Sequence, residues 1–426
     1  MFKFLRLVIK PLNPIDLDFK RMPREPYSFF ERIKIYFKGK NTGDKYTNYY
    51  FLNIFKHGFI HLLLVLYFPI IIICRLCNFK FVIINYWQFG TTAQHLSFLI
   101  RDNILNNNKN KIFVYAPEKF VSNKALLKIF SSRIKIISNI ILCIITYPLF
   151  HSRLLRLSIL KYDEHSHNSR TYIINKNHKH FNRNFFDFID EERLNLRKIF
   201  FEEFNFKPDS KYACMNLRIL KFYNDKRYTV RNTTIEKYLD TYEYLISNGY
   251  KVICLNEDKI NFKNFENIFF YSTLNKNFRS DLQIYILKQA NIFITNNFGP
   301  KNVASALCTP SLICDAFPYT SIIPYNETDI TIPKIIEKNN KKLSFNEIFD
   351  LGYFHSIVNE KNINIIENSS QDILDGISLI LDKTYGEKHK TNNIKLKKIM
   401  SKKISCINGQ GNISEKFLDK NKFLIN

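Results

Sequence analysis

The sequence predicts an α/β protein built on two parallel sheets. Short continuous apolar runs of strand length recur along the chain, and amphipathic helical stretches alternate with them. The chain has 426 residues, enough for two or three domains at about 150 residues each.

Phe79 to Tyr86, FKFVIINY, is continuously apolar, as a strand buried on both faces should be. A loop with Gly90 and a helical stretch through Leu105 follow. Lys111 to Tyr115 predicts a second strand and Ile134 to Ile137 a third. Asp163 to Arg183 is polar and His-rich, a loop or insertion. Asp187 to Phe204 is a charged helix with Ile189, Leu194, Ile199 and Phe204 as apolar positions. Pro208 to Lys211 marks a domain boundary.

In the second half Tyr212 to Leu217 is a strand. Thr233-x-x-Glu236 has the form of a capping box opening a helix. Ile235, Tyr238, Leu239, Tyr242, Leu245 and Ile246 give that helix an apolar face, and Asn248-Gly249 ends it. Tyr250 to Leu255, Ile268 to Tyr271, Ile292 to Thr295 and Ser311 to Cys314 are further strands, with helices at Ser280 to Gln289 and Lys301 to Leu307. The segments are therefore a basic N-terminal stretch (1–78), a first α/β domain (79–208), a second (209–390) and a Lys-rich tail (391–426), read as frayed.

Lys+Arg 63 against Asp+Glu 38 gives a formal charge of +25, which favours phosphate groups, nucleic acid or an anionic membrane as partners. Abundant Ile, Asn, Lys and Phe beside a single Trp indicate an AT-rich genome, so part of that charge is codon bias. Nucleic acid is not expected: no reading module or clustered basic recognition helix is present. The 8 cysteines do not make a disulfide scaffold, and Cys143, Cys214, Cys254 and Cys314 sit in apolar runs as reduced thiols do. Cys74 and Cys77 form a lone C-x-x-C with no second pair at zinc spacing.

No cleavable signal peptide is evident, and Met1 to Lys10 could form a short basic amphipathic helix. Gly58 to Cys74 is the strongest apolar run, yet it falls short of the about 20 residues of a spanning helix and carries His61 and Pro69. A second run is Ile136 to Phe150. Three readings stand: buried elements, an in-plane patch whose flanks at Lys56, Arg75 and Lys80 meet anionic lipid, or a true spanning helix.

In open parallel sheets, ligands bind beyond the carboxyl ends of the strands. Those positions hold Asn216 and Arg218, Asn256 and Glu257, Ser272 and Thr273, then Asn296, Asn297 and Gly299, and Asp315. Gly299-Pro300 leads into a helix at Lys301, whose free N–H groups offer an anion site that Arg218 could complete. No P-loop, dinucleotide fingerprint, nucleophile elbow or helical H-E-x-x-H occurs. Asp163-Glu164-His165-Ser166-His167, with His178 and His180, could bind metal, but a solvated loop is the simpler reading.

Several segments fall in the register of a known family. These are Cys214-Met215-Asn216-Leu217-Arg218, Tyr228-x-x-Arg231-Asn232, Asn248-Gly249-Tyr250 with Val252-Ile253, and Arg279-Ser280-Asp281. Gly299, Pro310, Lys342 to Glu347 and Glu367-Asn368-Ser369 continue the pattern. The chain from about Phe79 to Leu381 thereby resembles a set of bacterial glycosyltransferases of GT-B-like architecture, linked to surface polysaccharide synthesis. Phe89-Gly90 to His95-Leu96 and Pro117 to Leu126, with Asn123, are similar to that family's first two loops. The sequence departs from the family at Asn216, where a His is usual, at Ile219, and at Asn296-Asn297-Phe298-Gly299.

The resemblance implies two Rossmann-like domains facing a cleft. It implies a nucleotide-sugar donor held by Asn216, Arg218, Arg231, Asn296, Asn297, Gly299 and Lys301, without cofactor or metal. It implies a glycan or lipid-linked acceptor beside Gly90 and Asn123, with His95 as base and Glu118 as the alternative. The expected place is the cytoplasm, peripheral at the inner face of the cell membrane. The competing reading is a non-catalytic, membrane-associated glycan-assembly protein with the same fold, favoured by Asn216 and Ile219.

Overall fold

The computed structural model describes residues 59–426 apart from 61, 85, 87, 106–108, 153, 156, 158–185, 208, 219–231, 257–267, 271–278, 297–298, 318, 320–321, 351–361, 383–390, 404–410 and 426. In chain order the first half runs α1 (Phe68–Leu76), β1 (Phe79–Ile83), α2 (Phe89–Leu105), β2 (Lys111–Tyr115), α3 (Lys124–Ser131), β3 (Lys135–Ile137), α4 (Ile140–His151) and α5 (Asp190–Phe204). The second half runs β4 (Tyr212–Asn216), α6 (Leu239–Ser247), β5 (Lys251–Cys254), β6 (Ile268–Phe270), α7 (Arg279–Gln289), β7 (Ile292–Asn296), α8 (Gly299–Leu307), β8 (Ser311–Ala316) and β9 (Ile330–Pro333). Then follow β10 (Ile335–Lys338), β11 (Lys341–Lys342), α9 (Phe345–Asp350), β12 (Ile363–Ile366), α10 (Ser370–Leu381), α11 (Thr391–Lys403), β13 (Asn412–Ile413) and α12 (Glu415–Lys420). The fold is mixed α/β with two parallel sheets, as the sequence predicts.

Two compact units divide the described residues. One holds those within 1–86, 108–121 and 133–158, and the other those within 87–107, 122–132 and 159–426. Packing rather than chain order sets this division: α2 and α3 group with the C-terminal residues.

In the first unit β1, β2 and β3 form a parallel sheet, with Val82 opposite Val114 and Val114 opposite Ile136. Aromatic packing fills its core. Phe81 stacks on Phe113 at 5.2 Å and meets Phe150 of α4 edge-on at 5.0 Å, and Tyr115 meets Phe150 at 5.3 Å. Each such pair adds about 0.5–1.5 kcal/mol beyond the area it buries. The Asn139 side chain caps α4 by accepting from the Ile141 and Leu142 N–H groups.

The second unit is built on a seven-stranded sheet in the order β13-β9-β8-β7-β4-β5-β6, every pairing parallel. Strands β4, β7 and β8 are buried at every residue, which explains why they read as unbroken apolar runs. Successive strands leave β4 in one direction to β5 and β6, and in the other to β7, β8 and β9. The chain thus reverses direction across the sheet between β4 and β7, creating a topological switch point. Gly249 ends the α6 turn at φ +77°, with its N–H on the Ile246 carbonyl at 2.9 Å. A smaller antiparallel sheet, β11-β10-β12, lies in the same unit.

Two expectations need correction. The helix after Thr233 is not opened by a capping box: a 3-10 turn begins it at Glu236 with no side-chain cap, because the Thr233 hydroxyl donates to Asp315 instead. The C-terminal tail is not frayed. β13 pairs in parallel with β9, and Leu396, Met400, Ile413, Phe417 and Leu418 are buried. Asn393 fastens this segment by donating to the Ile413 carbonyl at 2.8 Å and accepting the Ile413 N–H at 2.8 Å.

Candidate active site

The carboxyl edge at the switch point is tied together by side-chain to backbone bonds. Asn296, the last residue of β7, accepts the Arg218 N–H on Oδ1 at 2.9 Å, fixing the chain as it leaves β4. Asn256, just after β5, accepts the Leu217 N–H at 3.0 Å and donates back to the Leu217 carbonyl. The Arg218 guanidinium, on a residue 8% exposed, donates from Nε to the Asn232 side-chain oxygen at 3.1 Å. Thr233 returns its N–H to the Arg218 carbonyl at 3.1 Å.

Strands β8 and β9 add charged groups to the same edge. Asp315 accepts the Thr233 hydroxyl at 2.8 Å and the Asn368 N–H at 2.8 Å. Lys334 follows β9, and its Nζ donates to the Asn232 carbonyl at 3.1 Å and to Glu367 at 3.3 Å. Lys237 pairs with the other oxygen of Glu367. Asn232 therefore touches both Arg218 and Lys334, and Arg218, Lys334, Lys237, Asp315 and Glu367 belong to one connected network.

The electrostatics follow from burial and pairing. Burial pushes the Asp315 carboxyl up, opposed by Lys334, the Asn368 N–H and the Thr233 hydroxyl. Burial also works upward on Glu367, but the Lys237 bond and the Lys334 charge outweigh it and hold that carboxyl below its ordinary value. Three cations, Arg218, Lys334 and Lys237, face two carboxylates, Asp315 and Glu367. The edge is net positive and suited to an anion.

The other expected donor residues fare differently. Asn216 ends β4 at 7% exposure, and its carbonyl accepts the Thr295 hydroxyl at 2.8 Å. Asn296 is fully buried, and its amide serves the Arg218 backbone rather than a ligand. Lys301 is buried in the first turn of α8, where its charge acts on Asp329. Gly299 begins α8 at a position two residues earlier than the sequence suggested. Arg231, Asn297, Glu257, Ser272, Thr273 and the His-rich segment from Asp163 to His180 lie outside the described residues.

The acceptor-side residues are taken up by packing. Gly90 and Gly299 meet backbone to backbone: a Cβ on Gly90 would fall 2.2 Å from the Gly299 carbonyl oxygen. The two glycines, in one compact unit, approach too closely for a sugar to pass between them. Asn123 caps α3 by accepting the Leu126 N–H at 3.2 Å and also accepts the Ser280 hydroxyl at 3.0 Å. His95 stands inside α2 rather than on a loop and is 4% exposed, which denies it the open approach a base for an acceptor hydroxyl requires. Glu118 is exposed on a 3-10 turn after β2, at the carboxyl edge of the first sheet. Among the described residues no group of three or more His, Cys, Asp or Glu is placed to hold a metal.

Sequence reasoning missed Lys334, Lys237 and the part played by Asn232 and Thr233. Lys334 had a readable signal: it is a lone cation between Ile332-Pro333 and Ile335-Ile336. A charge inside such a run is either a surface break or a buried partner of another charge.

No family model matches the chain. No curated protein matches it either. Several solved structures resemble it at low identity. The ADP-heptose lipopolysaccharide heptosyltransferase II of E. coli is 12% identical with a TM-score of 0.44, covering 71% of this chain and 98% of that one. A family 9 glycosyl transferase from Veillonella parvula is 11% identical with a TM-score of 0.45, covering 71% and 97%. The iron-containing dodecameric heptosyltransferase TibC, in complex with ADP-D-beta-D-heptose, is 14% identical with a TM-score of 0.31, covering 57% and 59%.

Proposed function

We propose that the chain is a glycosyltransferase of GT-B-like plan. It would move a sugar from a nucleotide-sugar donor to a cell-surface glycan or lipid-linked acceptor. The observation that carries this reading is the net-positive network of Arg218, Lys334 and Lys237 at the carboxyl edge of the seven-stranded sheet, beside its switch point. The sequence resemblance, strongest from Tyr212 onward, supports the same class.

The donor diphosphate would lie against Arg218 at the carboxyl edge, near the N-terminal turn of α8, whose dipole favours an anion. As the bond from the sugar to the diphosphate lengthens, charge grows on the leaving oxygen. Fixed cations and helix dipoles stabilise that charge without a metal ion. On the acceptor side, exposure favours Glu118 over His95 as the base, since Glu118 is exposed and His95 is buried. In an inverting reaction it would take the proton of the acceptor hydroxyl as that oxygen attacks.

A thermal-shift screen of the full chain against nucleoside diphosphates and their sugars tests the donor site, since a ligand well above its Kd raises apparent stability. Arg218→Ala should weaken diphosphate binding about 10- to 100-fold, the worth of a charge-assisted bond or pair of bonds. Unchanged affinity in that variant, with binding present in the parent, would remove the assignment. The non-catalytic reading is favoured by Asn216 and Ile219. It predicts that donor binds but that no diphosphate is released in the presence of membrane glycan extracts.

A further inference from the structure

The first unit carries an apolar outer face that the proposed chemistry does not use. Thirteen of the seventeen large apolar side chains exposed among the described residues belong to it. They concentrate on helical residues 62–66, on α1 and on the first half of α4. Both helices already spend an inner apolar stripe on their own unit: Ile71 and Cys74 from α1, and Cys143, Tyr147 and Phe150 from α4. Their outer stripes are apolar as well. Leu66, in the helical residues just before α1, and Ile70 and Ile73 of α1 are 68%, 45% and 60% exposed, and Ile141, Leu142 and Ile145 of α4 are 63%, 54% and 51% exposed. The Tyr67 hydroxyl donates to the Ile145 carbonyl at 2.9 Å, so the two stretches lie side by side and form one surface. A helix apolar all round is not stable facing water and calls for an apolar neighbour.

Charge distinguishes among neighbours. The described cations of this unit are Arg75, Lys80, Lys109, Lys111, Lys119, Arg133 and Lys135, and its one described carboxylate is Glu118. Arg75 closes α1, and Arg133 and Lys135 shortly precede α4; all three are exposed. A second copy would bring like charge against like charge around the apolar centre. An anionic bilayer supplies both an apolar interior and negative headgroups at the rim. The helices are too short to cross: α1 has 9 residues and α4 has 12, against about 20 for a span. Among the described residues no helix is long and apolar enough to cross a membrane.

We infer that the outer face of α1 and α4 is an in-plane docking surface for anionic lipid. Leu66, Ile70, Ile73, Ile141, Leu142 and Ile145 enter the acyl boundary, and Arg75, Arg133 and Lys135 meet the headgroups. The inference does not depend on the glycosyltransferase reading.

The test is co-sedimentation of the full chain with vesicles of phosphatidylcholine alone and of phosphatidylcholine with phosphatidylglycerol. The parent should sediment with the mixed vesicles, release with rising salt, and bind neutral vesicles about tenfold or more weakly. Leu66→Glu with Ile145→Glu should lower partitioning onto mixed vesicles about tenfold or more, with far-UV circular dichroism unchanged because both side chains are exposed. Equal binding of the parent to both vesicle types, or no binding at all, overturns the inference without recourse to a variant. So does a parent that is a dimer in solution, binds no vesicles, and becomes a monomer in the double variant, since a second copy would then cover the face.

Discussion

Replacing Gly90 by Ala should destabilise the second unit far more than replacing Gly299, although the two glycines touch each other. A Cβ at Gly90 would stand 2.2 Å from the Gly299 carbonyl oxygen, 2.4 Å from its Cα and 2.6 Å from its carbonyl carbon. All three are backbone atoms, so no rotamer change relieves the clash. The first turns of α2 and α8 must move apart by about 1 Å to reach van der Waals separation. Overpacking of this kind costs about 1–3 kcal/mol and sometimes more. The helical preference for Ala over Gly returns at most about 1 kcal/mol. Because the obstruction is rigid, the net loss should be about 2 kcal/mol, or roughly 3 °C in Tm for a unit of this size. The reverse change meets the Gly90 nitrogen at 3.4 Å and its Cα at 3.6 Å, which is ordinary contact. Gly299→Ala should therefore stay within about 1 kcal/mol of the parent. Urea unfolding followed by circular dichroism measures both. Equal midpoints for the two variants, or a lower midpoint for Gly299→Ala, would show that the α2–α8 approach is not set by Gly90.

Two further variants probe the buried charges. Burial raises the Asp329 carboxyl to about 7, against bonds from the Ser311 N–H and the Ser305 hydroxyl and the charge of Lys301. Between about pH 4 and 7 the folded chain keeps a proton that the unfolded chain has lost, so stability falls as pH rises through that window, by up to about 1.4 kcal/mol per unit. Asp329→Asn should flatten this fall, and parallel urea midpoints for parent and variant at pH 5 and pH 8 would contradict it. Lys334→Met should cost about 3 kcal/mol near neutrality, because Glu367 and Asp315 lose a buried counter-charge. Much of that loss should return near pH 4 as the carboxyls protonate, and a loss independent of pH would mean that Lys334 acts by packing alone.

The strands were readable because parallel sheets covered on both faces leave unbroken apolar runs, and β2 matches its predicted bounds at both ends. Strand β9 escaped because ITIP is four residues closed by Pro333, and β13 because two residues carry no period at all. Their burial comes from neighbours supplied elsewhere in the chain. The tail looked soluble for its lysines, yet Leu396 and Met400 stand one helical turn apart and both are buried. Thr233 misled because its spacing to Glu236 fits a capping box, while tertiary structure gave the hydroxyl a carboxylate to bond. Strand-end position placed Arg218 and Asp315 at the carboxyl edge of the sheet, where the structure has them. The same rule could not tell that the Asn296 amide would turn to the Arg218 backbone, since that depends on how closely β4 and β7 approach.

The second unit contains two fully buried aspartates, Asp315 and Asp329, and their positions on one sheet separate their roles. Asp329 precedes β9 and accepts the N–H of Ser311, the first residue of β8, so it closes the amino edge. Asp315 and Lys334 lie at the opposite ends of those strands, on the carboxyl edge. A buried charged group is a poor way to gain stability, since apolar residues of similar volume do as well or better. Asp315 is also held at φ +49°, a left-handed conformation that costs about 1 kcal/mol or more away from glycine. At the amino edge the carboxyl yields to its surroundings: burial pushes its pKa up to about 7, and its bonds run to the backbone and to hydroxyls of its own fold. At the carboxyl edge Lys334 opposes the upward push of burial on Asp315, and the paired groups fasten the Asn232–Thr233 segment and, through it, Arg218. Strain and paired charged groups at the edge where parallel sheets bind ligands are what a fold selected only for stability would discard. Their cost is repaid if they hold Arg218 in place before an anion arrives, because a cation already fixed loses little freedom on binding.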